Sequence, residues 1–418
     1  MTKKTIYIII SIMLYCVVLG YSYVNYVSPL FSYSGFYLDF SYTKLIIFIL
    51  SNICMLFVLK FDYNIDNLLV FLLYINSVIP MLSLFYLQNL SYKYFMIVFL
   101  SYFTIFTLIR LLPKVKISFL SDVSLKEKHF VTLLFIIVTF LVIVRIIQLG
   151  GIDSRAFAFD ELYELRSEIK TAGMWGYLHN WLTKVFIPVL MIYYLHNKKY
   201  LLFFIVSMYQ FSLFASTGQK TLLLSIGLIL SCFFLRKWNR WYFGLPMFYT
   251  IISISSMLMY SVFKNVAGVG LFLVRQIFLP PFIGNKYIIF FSDNPRLHFS
   301  EGMIGKIFNL TSPYDIDAAN IISGRMDVYE NTGFIFDAYA NGGFFGIVAI
   351  ILFFVLLLKL LVSLSSSNNK LLYFGFMVYP IIILNDGSLL SVMLTHGVFL
   401  IVIIIYLLES MRNKKNEV

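Results

Sequence analysis

Apolar residues come in long, nearly uninterrupted runs, and a run of about 20 such residues fits a lipid bilayer better than a globular core. Twelve runs of this kind lie near residues 5–24, 44–60, 66–87, 94–112, 129–149, 181–196, 199–215, 219–235, 241–262, 338–360, 370–385 and 388–408. The sixth and eleventh are the shortest, and bilayer thinning or snorkelling flanks would accommodate them. Backbone inside hydrocarbon must satisfy its own hydrogen bonds, so each run is expected to be a helix. The expected class is all-α: a polytopic integral membrane protein with about 12 transmembrane helices. Composition agrees, with 60% hydrophobic residues and 12% charged ones, about half the charged share of a soluble protein. No internal repeat or long linker interrupts the pattern, so 1–418 reads as a single membrane domain.

The formal charge of +12 would suit a nucleic-acid partner, but its placement argues otherwise. Basic residues gather in short segments between apolar runs, which is how membrane topology is encoded. With the N-terminus inside, the inner segments and span ends hold 18 Lys/Arg, among them Lys3, Lys4, Lys114, Lys116, Lys198, Lys199, Arg236, Lys237 and Arg412, against six acids. The outer side then holds 14 of each, so the whole excess sits on one face. Both termini are expected in the cytoplasm of a cell with the chain in its inner (cytoplasmic) membrane. Lys3-Lys4 followed by apolar residues 5–20 resembles a signal peptide, but no small-residue cleavage site follows, so it reads as an uncleaved first span. Cys16, Cys54 and Cys232 all lie inside apolar runs and form no CxxC pair, which implies neither a disulfide framework nor a metal cage.

Three outer segments are candidates for chemistry. Residues 150–180 form an amphipathic loop: Asp153 or Ser154 would cap a helix, and 160–170 places Leu162, Leu165 and Ile169 on one stripe. Such a helix would lie along the membrane surface. Arg155 precedes it and Arg166 lies within it; the i±3 and i±4 neighbours of Arg166 are Leu162, Tyr163, Ile169 and Lys170, none acidic. A surface helix braced by ion pairs is the bland alternative. The second segment is the turn 216–221, where Lys220 opens a span on the wrong end of the helix dipole, which suggests an anion beside it, unless it simply snorkels.

The third is a large loop, 263–337, too long for a plain connector. It carries Arg275, Lys286, Arg296, His298, Glu301, Arg325, Asp327, Glu330 and Asp337, and its apolar stretches 270–283 and 287–291 are expected to dip back towards the membrane. Arg325, Asp327 and Glu330 put a cation and two carboxylates within six residues, either a solvated ion cluster or a catalytic one. Asp315-Ile316-Asp317 has the spacing of a metal-holding DxD, a common pairing in ordinary loops. No nucleotide-binding glycine motif, nucleophile elbow or HExxH is present. Outer cations near a membrane suit an anionic lipid head, a diphosphate above all, because guanidinium grips its oxygens in a fork.

The pattern resembles the O-antigen or repeat-unit polymerases (Wzy-type) of bacterial surface polysaccharide synthesis. The likeness covers most of the chain as architecture. Locally, Tyr163-Glu164-Leu165-Arg166 followed by Gly173 looks like the family's outer arginine segment. Thr217-Gly218-Gln219-Lys220-Thr221 is similar to its small-Gly-polar-basic turn, with lysine where arginine is commoner. Gly333 to Gly346 looks like the start of the span after the large loop. The resemblance implies a GT-C-like membrane glycosyltransferase that moves a growing glycan from one undecaprenyl diphosphate onto the next lipid-linked repeat unit. It implies no cofactor, no metal and no nucleic acid, with a chain-length regulator protein as a partner besides the bilayer. Arg166, Lys220, Arg325, Asp327 and Glu330 are then the candidate catalytic residues, and Arg155, Arg275, Tyr163, His298 and Asp337 the candidate substrate contacts. Related O-antigen ligases carry a His-Asn pair where this chain has Thr332-Gly333, which disfavours the ligase. A repeat-unit flippase or other transporter is the remaining alternative.

Overall fold

The computed structural model describes residues 3–413 except 116, 118–125, 158–160, 162, 163, 166, 167, 170–172, 238, 239, 325–329 and 366–368. Among the described residues the secondary structure is helical, apart from one isolated bridge between Asp39 and Gln88. Each apolar run falls largely in helix, the last of them, 388–408, being broken at 395–397. Among the described residues, seven helices are long and apolar enough to cross a membrane: Lys3–Ser34, Ile65–Leu87, Tyr92–Leu111, Glu127–Gln148, Tyr200–Thr217, Trp241–Phe263 and Phe334–Leu364. Three more, Tyr42–Val58, Lys220–Leu235 and Lys370–Ile383, are apolar but shorter. This is the construction of a helical membrane protein.

The chain divides into two compact units. Unit 1 is Met1–Pro113, Arg240–Lys359 and Ile381–Ser391; unit 2 is Lys114–Asn239, Leu360–Pro380 and Val392–Val418. In unit 1 the Ile65–Leu87 helix is the core, buried along its whole apolar window. Two of its polar side chains are engaged by neighbouring helices. Tyr74 donates to Asn52 Oδ1 at 2.7 Å, and Asn76 Oδ1 accepts from Tyr249 at 2.6 Å. At one end of this core Lys359 Nζ meets Asp66 Oδ2 at 3.1 Å, both side chains 7% exposed, and also donates to the Ile109 carbonyl at 2.6 Å. Removing one member strands a buried charge, so Asp66→Asn or Lys359→Met is expected to cost about 3–5 kcal/mol in thermal or denaturant unfolding. The double change to apolar residues should be much milder; single changes that leave stability untouched would refute a buried pair.

Among the described residues, four helices open into π-helical turns, at Tyr23–Val27, Tyr74–Val78, Leu182–Phe186 and Val269–Phe278. Each ends two residues before a proline: Pro29, Pro80, Pro188 and Pro280. Proline has no N–H to donate, and its ring crowds the preceding turn. A widened turn relieves that crowding but leaves carbonyls unserved, and side chains take them. Gln210 Nε2 donates to the Thr183 carbonyl at 3.0 Å. Asn385 Nδ2 donates to the Gln276 carbonyl at 3.4 Å.

The large loop differs from its expected form. It opens as helix through 269–293, by way of Val269–Phe278 and Leu279–Asp293, and adds the short helices Gly302–Phe308 and Ala318–Ser323. The stretches 270–283 and 287–291 thus belong to one long helical segment, whose apolar residues Leu273, Ile277, Tyr287 and Phe291 are buried in unit 1.

Candidate functional site

The Phe334–Leu364 helix is interrupted by the Gly342-Gly343 pair, which sits at φ −138°, ψ 15° and φ 59°, ψ −140°. The second conformation is one that only glycine adopts readily. The interruption exposes the last carbonyls of the half-helix before it, and the loop segment 296–299 covers them. Arg296 Nη1 donates to the Tyr339 carbonyl at 3.1 Å. The amides of Leu297 and His298 donate to the carbonyls of Ala340 and Asn341, each at 3.1 Å. The Phe299 amide donates to Asn341 Oδ1 at 2.8 Å. His298 and Phe299 adopt left-handed φ values of 49° and 61° to do so. Such a backbone costs about 1–2 kcal/mol per non-glycine residue, which the capping hydrogen bonds offset. The geometry leaves the His298 ring exposed.

Two cations flank one aromatic ring at this junction. The Arg296 guanidinium lies 4.1 Å from the centre of the Tyr339 ring, and Lys93 Nζ lies 5.5 Å from it. Lys93, at the start of the Tyr92–Leu111 helix, also donates to Ser292 Oγ at 2.7 Å. No described carboxylate forms an ion pair with either cation. The helix end explains part of this, since a cation is favourable beside terminal carbonyls. It does not account for Lys93, which sits in the first turn of its own helix. An exposed site with two uncompensated cations and a histidine is suited to holding an anion and moving a proton next to it.

Several carboxylates of the large loop have partners of their own. Lys286 Nζ holds both oxygens of Glu330 at 2.9 and 2.8 Å, and Tyr287 Oη donates to the Glu330 carbonyl at 2.9 Å. Glu330, expected to be catalytic, is ion-paired to Lys286 of the 279–293 helix. Burial pushes the Glu301 carboxyl above the usual range, against a compensating N–H from Ala318 at 2.9 Å. Asp337 is half-buried in the first turn of the Phe334–Leu364 helix, and Arg275 is exposed on the Val269–Phe278 turn. Among the described residues, no group of three or more His, Cys, Asp or Glu comes together.

In unit 2, Arg155 is engaged by two carboxylates. Its Nη2 lies 2.8 Å from Asp153 Oδ2 and 2.8 Å from Glu168 Oε2, and its Nη1 donates to Glu168 Oε1 at 3.0 Å. The Glu168 and Asp153 hydrogen bonds raise the Arg155 pKa, so the guanidinium stays charged and occupied. Lys220 is half-buried at the first position of the Lys220–Lys237 helix, just after Gly218 in the left-handed region. Arg166, Tyr163, Arg325 and Asp327 lie outside the described residues. The sequence reading does not single out Lys93 or Ser292, includes Tyr339 only within the 333–346 motif, and names Arg296 only as one of many loop charges.

No protein-family model, curated protein or solved structure matches the chain.

Proposed function

We propose that this protein polymerises polyprenyl-diphosphate-linked oligosaccharide repeat units into a surface polysaccharide, acting as a GT-C-like glycosyltransferase on the outer face of the cytoplasmic membrane. In this reading the chain crosses the membrane twelve times with both termini inside. The observation that carries it is the pair Lys93 and Arg296 on the Tyr339 ring, with the exposed His298 two residues along the chain from Arg296. The topology written by the basic residues places Lys93 and the loop on the same, outer face. Their contact within unit 1 is compatible with that topology.

The chemistry is a displacement. The acceptor hydroxyl oxygen attacks the anomeric carbon of the donor glycan, and the bond from that carbon to the phosphate oxygen breaks. The polyprenyl diphosphate departs with the electron pair, and negative charge grows on its oxygens. Fixed cations stabilise that charge, which is the role of Lys93 and Arg296. His298 accepts the hydroxyl proton. The bond energy of the lipid-linked donor drives the step, so no nucleotide or metal is invoked. The family resemblance adds Arg166, Lys220 and Arg325 as further contacts to an anionic substrate.

The full-length protein in proteoliposomes, given a synthetic polyprenyl-diphosphate oligosaccharide, is expected to yield a glycan ladder on a gel. Arg296→Ala and Lys93→Ala should each slow ladder formation about 10²- to 10³-fold. Ladder formation at the parent rate in both variants would remove the site, and no ladder from the parent protein would remove the activity. Movement of the lipid-linked unit across the vesicle without any ladder would identify a flippase instead.

A further inference from the structure

Unit 2 contains a buried cation that the proposed reaction does not use. Arg145 lies near the end of the Glu127–Gln148 helix and is 6% exposed. Its Nε donates to His179 Nδ1 at 3.4 Å and its Nη1 to Gln148 Oε1 at 3.2 Å. Its Nη2 is fully buried and has no acceptor. Because His179 Nδ1 accepts from Arg145, the proton of a neutral ring sits on Nε2, a buried atom with no partner of good hydrogen-bond geometry, although the Gln219 side chain is close enough to act on the ring. A second cation is close: Arg145 and Lys184 both act electrostatically on His179. Lys184 Nζ in turn lies 2.8 Å from His396 Nδ1.

The surroundings are built from irregular backbone. Lys184 sits in the π-helical turn Leu182–Phe186, and His396 sits in the break between Leu389–Leu394 and Val398–Asn413, beside Gly397 at φ 71°. Widened turns and broken helices inside membrane proteins gather where a ligand is held. An ionisable side chain buried there calls for a partner, and no described carboxylate pairs with Arg145. The atoms left unsatisfied around it, Arg145 Nη2 and His179 Nε2, are donors. What they lack is an acceptor-rich anion.

We propose that unit 2 binds an oxyanion of the phosphate class between Arg145 and His179, with Lys184 adding charge. Guanidinium geometry matches phosphate oxygens in a fork, which favours phosphate or diphosphate over a halide. The site stands on the geometry around Arg145 and is independent of the polymerase reading. The ligand is either a free phosphate or the head of a phosphorylated lipid.

The test uses the full-length protein in phosphatidylcholine nanodiscs, with thermal unfolding and direct titration against inorganic phosphate, pyrophosphate and farnesyl diphosphate. Binding to the parent protein by one or more of them is expected, with a raised unfolding temperature. Pyrophosphate or phosphate sufficing identifies the free ion; a response to farnesyl diphosphate alone identifies a lipid head. Arg145→Met should abolish the response while leaving the ligand-free unfolding temperature equal or higher, because a buried uncompensated charge is gone. Should that variant fail to fold, His179→Phe removes the Nε2 donor without changing permanent charge and should weaken binding at least tenfold. No response to any probe, or an unchanged response in the variant that folds, overturns the site and leaves these donors to buried water.

Discussion

Gly346→Ala is expected to destabilise the protein by on the order of 3 kcal/mol, where an ordinary helix would be stabilised by the same change. In an unbroken helix, residues 338 and 346 are eight positions and about 12 Å apart. Alanine would then gain roughly 1 kcal/mol over glycine through helix propensity. In the observed fold the turn at Gly342 and Gly343 brings the Ala338 carbonyl oxygen against Gly346, so an added Cβ runs into backbone that cannot rotate away. The sign of the effect therefore reports whether the helix is broken. Gly342→Ala is the internal control: its φ of −138° suits any residue, and no atom lies within 4 Å of the added Cβ. Gly343→Ala should be costly through its φ of 59° and ψ of −140°. Thermal unfolding of the three purified variants decides the matter. A stabilised Gly346→Ala variant would mean a continuous helix, and the cap formed by 296–299 would then have no carbonyls to cover.

The helices were legible because their signal is long and one-dimensional: a run of apolar residues in hydrocarbon has to become helix. What escaped depends on single positions. Four prolines inside or beside apolar runs gave no warning of the widened turns ahead of them, since membrane helices absorb proline without losing their hydropathy pattern. The loop was recognised as structured, but its 269–293 helix has no uninterrupted apolar run, because Arg275, Gln276, Asn285 and Lys286 fall within it. The Gly342-Gly343 pair was noticed as part of a family-like motif, yet nothing in two glycines states that a helix ends there. Arg296 and Lys93 lie more than 200 residues apart in sequence and meet only through Ser292 and Tyr339. Charge counting gave them the same side of the membrane, and it carries no information finer than that. Glu330 shows the converse: it was chosen from its neighbours at 325 and 327, while its partner Lys286 comes from another helix.

His298→Asn is expected to lower the transfer rate about 10²- to 10⁴-fold without disturbing the fold. The reason lies in the backbone. His298 holds φ at 49° so that its amide can cap the Asn341 carbonyl. Asparagine tolerates that left-handed region far better than most residues, so the cap survives and only the ring is lost. Alanine at 298 would confuse the two effects by adding strain, which makes asparagine the informative replacement and glycine its check. If the ring takes the acceptor proton, kcat and kcat/KM fall together while KM holds, because the group acts only in the transition state. Arg296→Ala should behave differently: in the proposed reaction its guanidinium would hold the diphosphate before and during bond breaking, so KM would also rise. Single-turnover measurements on a lipid-linked donor and acceptor pair would separate the two patterns. A His298→Asn variant with parent kinetics would transfer the base assignment to another group, with the Glu301 carboxylate, raised in pKa by burial, the next to test.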